Sequence, residues 1–348
     1  MKKRLFPFRH LIFLIFFLTA STQGNAQHIT NSSVHLNERS PVSVQHFDLQ
    51  ISEFLSIQPV GDLFVIIHRS PDGVSVMNSQ GGLEAQLGRS GRGPFEWRSP
   101  AFVQYIDGEI IIWDAGNLKF LIFDENFEPV REDIGIRHSI RGFYYKNENL
   151  LSVYNQPAHE SEFIHIYERT SSGEIALKNK TGDLSKEGEI MLFREMMGGL
   201  LWNEDDLIWA DPALPGFFVY KTEENEQLEF TFRDNLFSVQ SWNEHPVMTR
   251  ETLHKIEEYL FSNSRIISLQ KMENHILIEV EHFQDGDPVL HYHLYDFEYN
   301  YITKLKAGRG GWENYIRGVD ENRLYYWGED YMETGETGSI RVREIVAE

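Results

Sequence analysis

The residues of the 348-residue chain whose types and spacing could do chemistry include Glu279, Glu281, His291 and His293, all within one short stretch. Glu279 and Glu281 precede the turn sequence Asp285-Gly286-Asp287-Pro288, and His291 and His293 follow it, so the stretch reads as a β-hairpin. With the turn centred on Gly286, antiparallel pairing sets Glu281 opposite His291 and Glu279 opposite His293, and leaves Ile278, Val280, Tyr292 and Leu294 on the other face. Two imidazoles at i and i+2, facing two carboxylates, can ligate zinc or another divalent ion. The same spacing also makes exposed cross-strand charge pairs. His138, His159 and His165 are isolated, and nothing ties them to a site.

The elements that must position such groups are short strands. One unit recurs six times, with starts near residues 61, 108, 147, 204, 274 and 322. Each begins with a polar or glycine turn and an apolar strand, as in Gly61-Asp62-Leu63 to Ile67, Gly108-Glu109-Ile110 to Trp113, and Asn322-Arg323-Leu324 to Trp327. The strands are rich in Ile, Val, Phe, Tyr and Trp and are separated by Gly, Asp, Asn or Pro turns. A lone four-stranded sheet cannot bury both faces, whereas radially stacked sheets share their faces and close into a ring. The expected fold is all-β: a six-bladed β-propeller of four-stranded antiparallel blades.

The last unit supplies strands near 315–319, 322–328 and 338–345 and then the chain stops, so an N-terminal strand is expected to complete it. The alternating segment Val42 to Leu49 is the candidate for that role. Residues 234–264 lengthen the link between the fourth and fifth units. Within them, Thr249 to Ser262 reads as a helix near 249–262, with Leu253, Ile256, Tyr259 and Leu260 on one face and Thr249 as its cap. Such a helix covers apolar edge at the rim or serves as a lid or partner-binding element. Residues 181–197 form a second, charged insertion.

The second unit is the most distinctive. Leu87-Gly88-Arg89-Ser-Gly91-Arg-Gly93-Pro94-Phe95-Glu96-Trp97-Arg-Ser-Pro100 leads to Asp107-Gly108-Glu109-Ile110 and then to Trp113-Asp114-Ala-Gly-Asn117-Leu-Lys-Phe-Leu-Ile-Phe123-Asp124. This order resembles the NHL-type six-bladed β-propeller family of exported bacterial proteins. A worn copy runs from Ala307-Gly308-Arg309-Gly310-Gly311-Trp312-Glu313 to Leu324-Tyr-Tyr-Trp327, and the other units keep only the strand pattern. The family includes lyases, lactonases, sugar dehydrogenases and binding scaffolds, so the resemblance implies architecture and leaves activity open.

Labelling the strands of each blade A (innermost) to D, the D-to-A links and the B-to-C turns lie on one face of the disc. Arg89, Arg92, Glu96, Trp97 and Arg98 of the glycine-rich link should therefore share a face with Asp114, Asn155, Asp211 and Asp330, which come at or just after the B strands. A ring of Asp and Asn oxygens at that mouth can bind a ligand or hold a hard cation such as Ca²⁺. Alternatively, Asp114 and Asn117 stabilise their own turn.

Composition removes several classes of function. With no cysteine there is no disulfide framework, no thiolate metal site and no cysteine nucleophile. A formal charge of −21 argues against nucleic acid. No H-E-x-x-H, G-x-S-x-G, Walker or complete EF-hand pattern occurs. Lys2, Lys3, Arg4 and Arg9 precede the apolar run Leu11 to Leu18 and the small-residue segment ending at Ala26, which reads as a signal peptide over residues 1–26. The run is far shorter than the roughly 20 residues that span a bilayer. The expected domains are thus a signal peptide, 1–26, and a single propeller, 27–348, in a periplasmic or secreted protein with no membrane span in the mature chain. The expected function is non-catalytic binding of a protein, peptide or glycan on the face of the D-to-A links. A metal-dependent hydrolase or lyase, with Ca²⁺ or Zn²⁺ at the pore mouth, is the alternative.

Overall fold

The computed structural model describes residues 34–39, 42–43, 53–69, 72–155, 162–194, 198–232, 234–242, 250–311, 314–328 and 339–347. The chain divides into two units, Met1–Asn31 and Ser32–Glu348, and every described residue lies in the second. Strands β1 (Val34–Glu38) and β2 (Val42–Ser43) come first. Blade 1 follows as β3 (Glu53–Val60), β4 (Leu63–Arg69), β5 (Gly73–Asn78) and β6 (Leu83–Gln86). Two short strands, β7 (Arg89–Ser90) and β8 (Glu96–Trp97), occupy the link to blade 2. That blade comprises β9 (Pro100–Ile106), β10 (Glu109–Asp114), β11 (Lys119–Asp124) and β12 (Pro129–Ile134).

Blade 3 is β13 (Ile140–Asn147), β14 (Leu150–Asn155), β15 (Glu162–Arg169) and β16 (Ile175–Asp183), followed by helix α1 (Lys186–Arg194). Blade 4 is β17 (Gly199–Asn203), β18 (Asp206–Ala210), β19 (Gly216–Lys221) and β20 (Glu226–Thr231), followed by α2 (Arg250–Leu260). The fifth blade contains β21 (Arg265–Lys271), β22 (Ile276–Gln284), β23 (Asp287–Tyr295) and β24 (Tyr301–Arg309). The sixth contains β25 (Gly318–Asp320), β26 (Arg323–Gly328) and β27 (Ser339–Ala347), and β1 is its outermost strand.

The ring is therefore a six-bladed β-propeller closed by an N-terminal strand. The closing strand begins earlier than the alternation at 42–49 implied. Val34 to Glu38 pair with Ala347 to Arg343, and Val42 and Ser43 extend the pairing to Ile340 and Ser339; residues 44–49 lie outside the described residues.

Apolar runs on the B strands follow from this geometry, because each blade is covered on both faces. On β10, Ile110 and Ile112 pack toward blade 1, with Val65 and Val76, while Ile111 and Trp113 pack toward blade 3, with Val153 and Tyr145. Comparable clusters fill the junctions of blades 3 with 4, 4 with 5, 5 with 6, and 6 with 1. The described residues contain two helices where one was expected. The charged insertion at 181–197 is partly a continuation of β16 and partly α1, whose Ile190 and Met191 pack with Ile256, Tyr259 and Leu260 of α2, over Ala213 and Trp242. Thr249, the expected cap of α2, lies outside the described residues. No helix among the described residues is long and apolar enough to cross a membrane.

Candidate functional site

The glycine-rich link is held by its own side chains. β7 and β8 pair in parallel, and the Glu96 carboxylate accepts hydrogen bonds from Gly93 N and Arg89 Nε, both at 2.7 Å. Those two donors hold the Glu96 carboxyl below its ordinary pKa, the Gly93 amide first. A Cβ at Gly91 would collide with the Glu96 carboxylate, so this glycine makes room for the anchor. Trp97 is buried between blades 1 and 2 and donates from Nε1 to Leu87 O at 2.9 Å. Arg89, Arg92 and Arg98 are exposed.

The expected polar ring divides in the same way. Asp114 is fully buried and accepts from the amides of Arg98, Ser99 and Gly116 at 2.8–3.2 Å, while Asn117 donates to Gly91 O and Glu96 O. Its carboxylate ties the B-to-C turn of blade 2 to the link. Asp211 does the same for α1: it accepts from Ser185 N at 2.6 Å and Ala213 N at 2.8 Å, and Ser185 Oγ caps the helix by accepting from Gly188 N. Burial raises the Asp211 pKa, and the two amides work against that rise. Asn155 is buried, and neither polar atom of its side chain has a hydrogen-bond partner among the described residues. Asp330 lies outside the described residues. Two of the four ring residues thus serve the chain itself.

The fifth-blade hairpin is out of the expected register by one residue. Asp285 and Gly286 both have positive φ, 55° and 89°, and form a two-residue turn that pairs Gln284 with Asp287. Glu279 then stands opposite Tyr292, Glu281 opposite Leu290, Val280 opposite His291 and Ile278 opposite His293. Because side chains alternate between faces, Glu279 and Glu281 point toward blade 6, whereas His291 and His293 point toward blade 4. The four residues do not form one ligand set. Nor are they exposed charge pairs, since all four are buried.

Each pair has its own partners. Glu281 meets Arg265 at 2.6 Å and accepts from Tyr315 Oη at 3.0 Å and Gly311 N at 2.8 Å. Glu279 accepts from Ser268 Oγ at 2.8 Å and Ile316 N at 3.2 Å. Burial pushes its pKa up to about 8, against the pull of those two donors, so it is mostly protonated at neutral pH.

A concavity of about 340 Å³ lies on the axis, lined among the described residues by the innermost strand of every blade. Its apolar wall includes Phe102 and Phe143, whose rings meet edge to face at 6.4 Å. Gln104 bridges blades 2 and 3 by accepting from Tyr145 N and donating to Tyr145 O. Among the described residues the lining carries Arg141, Lys271 and Arg317 and no carboxylate, in a chain whose Asp and Glu outnumber its Lys and Arg by 53 to 32. Arg141 and Arg317 lie at or before the starts of β13 and β25, toward the face of the D-to-A links. Lys271 lies at the end of β21, where its Nζ donates to Trp202 O at 3.0 Å. Burial lowers the pKa of Arg141, but a guanidinium remains charged. The signal missed in the sequence was cationic residues placed on A strands, which are less regular than the B strands that mark each repeat.

No protein-family model and no curated protein sequence matches the chain. Similar solved structures include a member of the DUF4221 family from Bacteroides vulgatus, with 9% identity and a TM-score of 0.64 over 91% of this chain and 99% of that one. A protein of Bacteroides fragilis described as exported has 13% identity and a TM-score of 0.59, over 89% of this chain and 95% of that one. At these identities the likeness is one of fold.

Proposed function

We propose that the protein is an exported, non-catalytic propeller that takes the carboxylate-bearing part of a peptide or glycan into its axial channel from the face of the D-to-A links. The observation that carries this reading is the charge of the described lining: Arg141, Lys271 and Arg317 with no carboxylate among the described residues, inside an acidic protein. Glu279 stands behind Ser268 and Ile316 of the wall, and because burial raises its pKa to about 8 it does little to cancel that charge at neutral pH. Cations in a walled site of low dielectric select anions and steer their approach. Phe102, Phe143 and Tyr144 offer ring faces and edges beside them, suited to a sugar ring or an apolar side chain. A volume of about 340 Å³ falls at the small end of ligand sites, enough for one sugar or a short peptide end.

Export is supported by the signal-like residues 1–26 and by the similar protein of Bacteroides fragilis described as exported. The NHL-type reading rests on the Leu87 to Asp124 unit. The mouth carboxylates of Asp114 and Asp211 are occupied with backbone amides, which weighs against a hydrolase or lyase metal among them. Screening the purified protein against uronate oligosaccharides and acidic peptides, each beside its uncharged amide or neutral-sugar counterpart, tests the proposal. Binding confined to the acidic members is expected; equal binding of the neutral members would refute the channel reading. The array in which the hit falls separates glycan from peptide.

A further inference from the structure

The long link between blades 4 and 5 brings a carboxylate onto the face of the hairpin that carries the histidines. Asp234 follows β20, and its Oδ2 lies 3.0 Å from His282 Nε2 on β22, 3.1 Å from His293 Nε2 on β23 and 2.8 Å from Lys304 Nζ on β24. Both imidazoles are fully buried, and the Asp234 side chain is 2% exposed. Phe232 stacks on His293 at 4.3 Å and holds its ring plane.

The protons on this cluster can be assigned. Ser264 Oγ donates its one proton to Leu236 O at 3.1 Å and accepts from Ser238 N at 3.0 Å. His282 Nδ1 lies 3.1 Å from the same Oγ, and with the hydroxyl proton on Leu236 O this nitrogen carries the hydrogen. In that tautomer of the neutral ring, Nε2 presents a lone pair to the carboxylate oxygen 3.0 Å away. Two lone-pair atoms at that distance attract only through a proton or a metal cation between them.

We infer that Asp234, His282 and His293 are ligands of a divalent transition-metal cation, Zn²⁺ in preference to others, which clamps the blade 4–5 link onto blade 5. The three ligand atoms lie within 4.8 Å of one another. Tetrahedral zinc with bonds of about 2.0 Å sets its ligands roughly 3.3 Å apart, close to the two N-to-O separations here. Two imidazoles and one carboxylate suit Zn²⁺ and disfavour Ca²⁺, which takes oxygen ligands. The hydrogen bond from His282 to Ser264 is the outer contact that orients a metal-bound imidazole. Lys304, with a side chain 25% exposed, competes for the same oxygen and can release it to solvent. Burial of all three ligands makes the site structural, separate from the channel.

The test is titration of chelator-treated protein with Zn²⁺ alone, followed by calorimetry and by the thermal midpoint. One equivalent is expected to bind and to raise the midpoint. His282→Gln and Asp234→Asn should each weaken binding by about 100-fold or more, since even loss of an outer contact costs 10- to 100-fold. Lys304→Met keeps every ligand and removes the competitor, so it should bind more tightly than the parent. Co²⁺ in place of Zn²⁺ should give the visible absorption of a tetrahedral site. Less than one equivalent bound, an affinity unchanged in folded His282→Gln, or Lys304→Met binding no better than the parent would each overturn the assignment.

Discussion

Two of the elaborated D-to-A links, those of blades 1–2 and 4–5, differ in what their sequences advertise and in what they hold. The blade 1–2 link, Gly88 to Trp97, has the most conspicuous pattern in the chain, and most of its described polar contacts hold the chain to itself. The blade 4–5 link shows no motif, yet it delivers Asp234 to two buried imidazoles. A conspicuous glycine-rich pattern here records backbone demands, because Gly91 must clear a carboxylate. Chemistry in the second link comes from residues far apart in the chain, joined by the fold.

Substitutions sharpen this contrast. Trp97→Ala has the largest expected effect, a loss of about 3–5 kcal/mol in denaturant unfolding, because it empties the junction of blades 1 and 2. Its affinity for Zn²⁺ should be unchanged; a parallel loss would mean that the two links are not independent. Asp114→Ala should cost about 1–3 kcal/mol by orphaning the amides of Arg98, Ser99 and Gly116. Arg92→Ala, on the exposed surface of the same link, should stay within about 0.5 kcal/mol of the parent.

Glu279 gives the contrast a pH dimension. Its folded pKa of about 8 lies above the ordinary 4.5, so between those values the folded state binds the extra proton. Stability from this group is therefore fully present below pH 4.5 and is lost as pH rises toward 8. Glu279→Gln lacks that slope and should gain on the parent steadily across the same interval. Parallel unfolding curves of Glu279→Gln and the parent at pH 5 and pH 8 would contradict the burial argument.

The repeat was readable because its markers are local. All six expected starts coincide with A-to-B turns, and the apolar runs after them are β4, β10, β14, β18, β22 and β26. Helix α1 was not readable: Lys-Glu-Gly-Glu carries little apolar signal, and the helix depends on the Ser185 cap and on Asp211, which holds Ser185 from blade 4. The hairpin failed through a single residue of register, since centring the turn on Gly286 instead of on Asp285-Gly286 swaps every face. The preference of Asp-Gly for two-residue turns was the available signal, and it would have placed His282, His291 and His293 on one face. Asp234 had no local mark.

The most direct measurement on the channel is calorimetric titration of the parent and of Arg141→Gln with Arg317→Gln, using the tightest acidic ligand from the array. Loss of about 10-fold or more in affinity, in a double variant with unchanged unfolding, is expected, since hydrogen bonds to charged groups contribute about 1.5–3 kcal/mol. An unchanged affinity would show that the ligand is held elsewhere, and the account of the basic channel would be wrong.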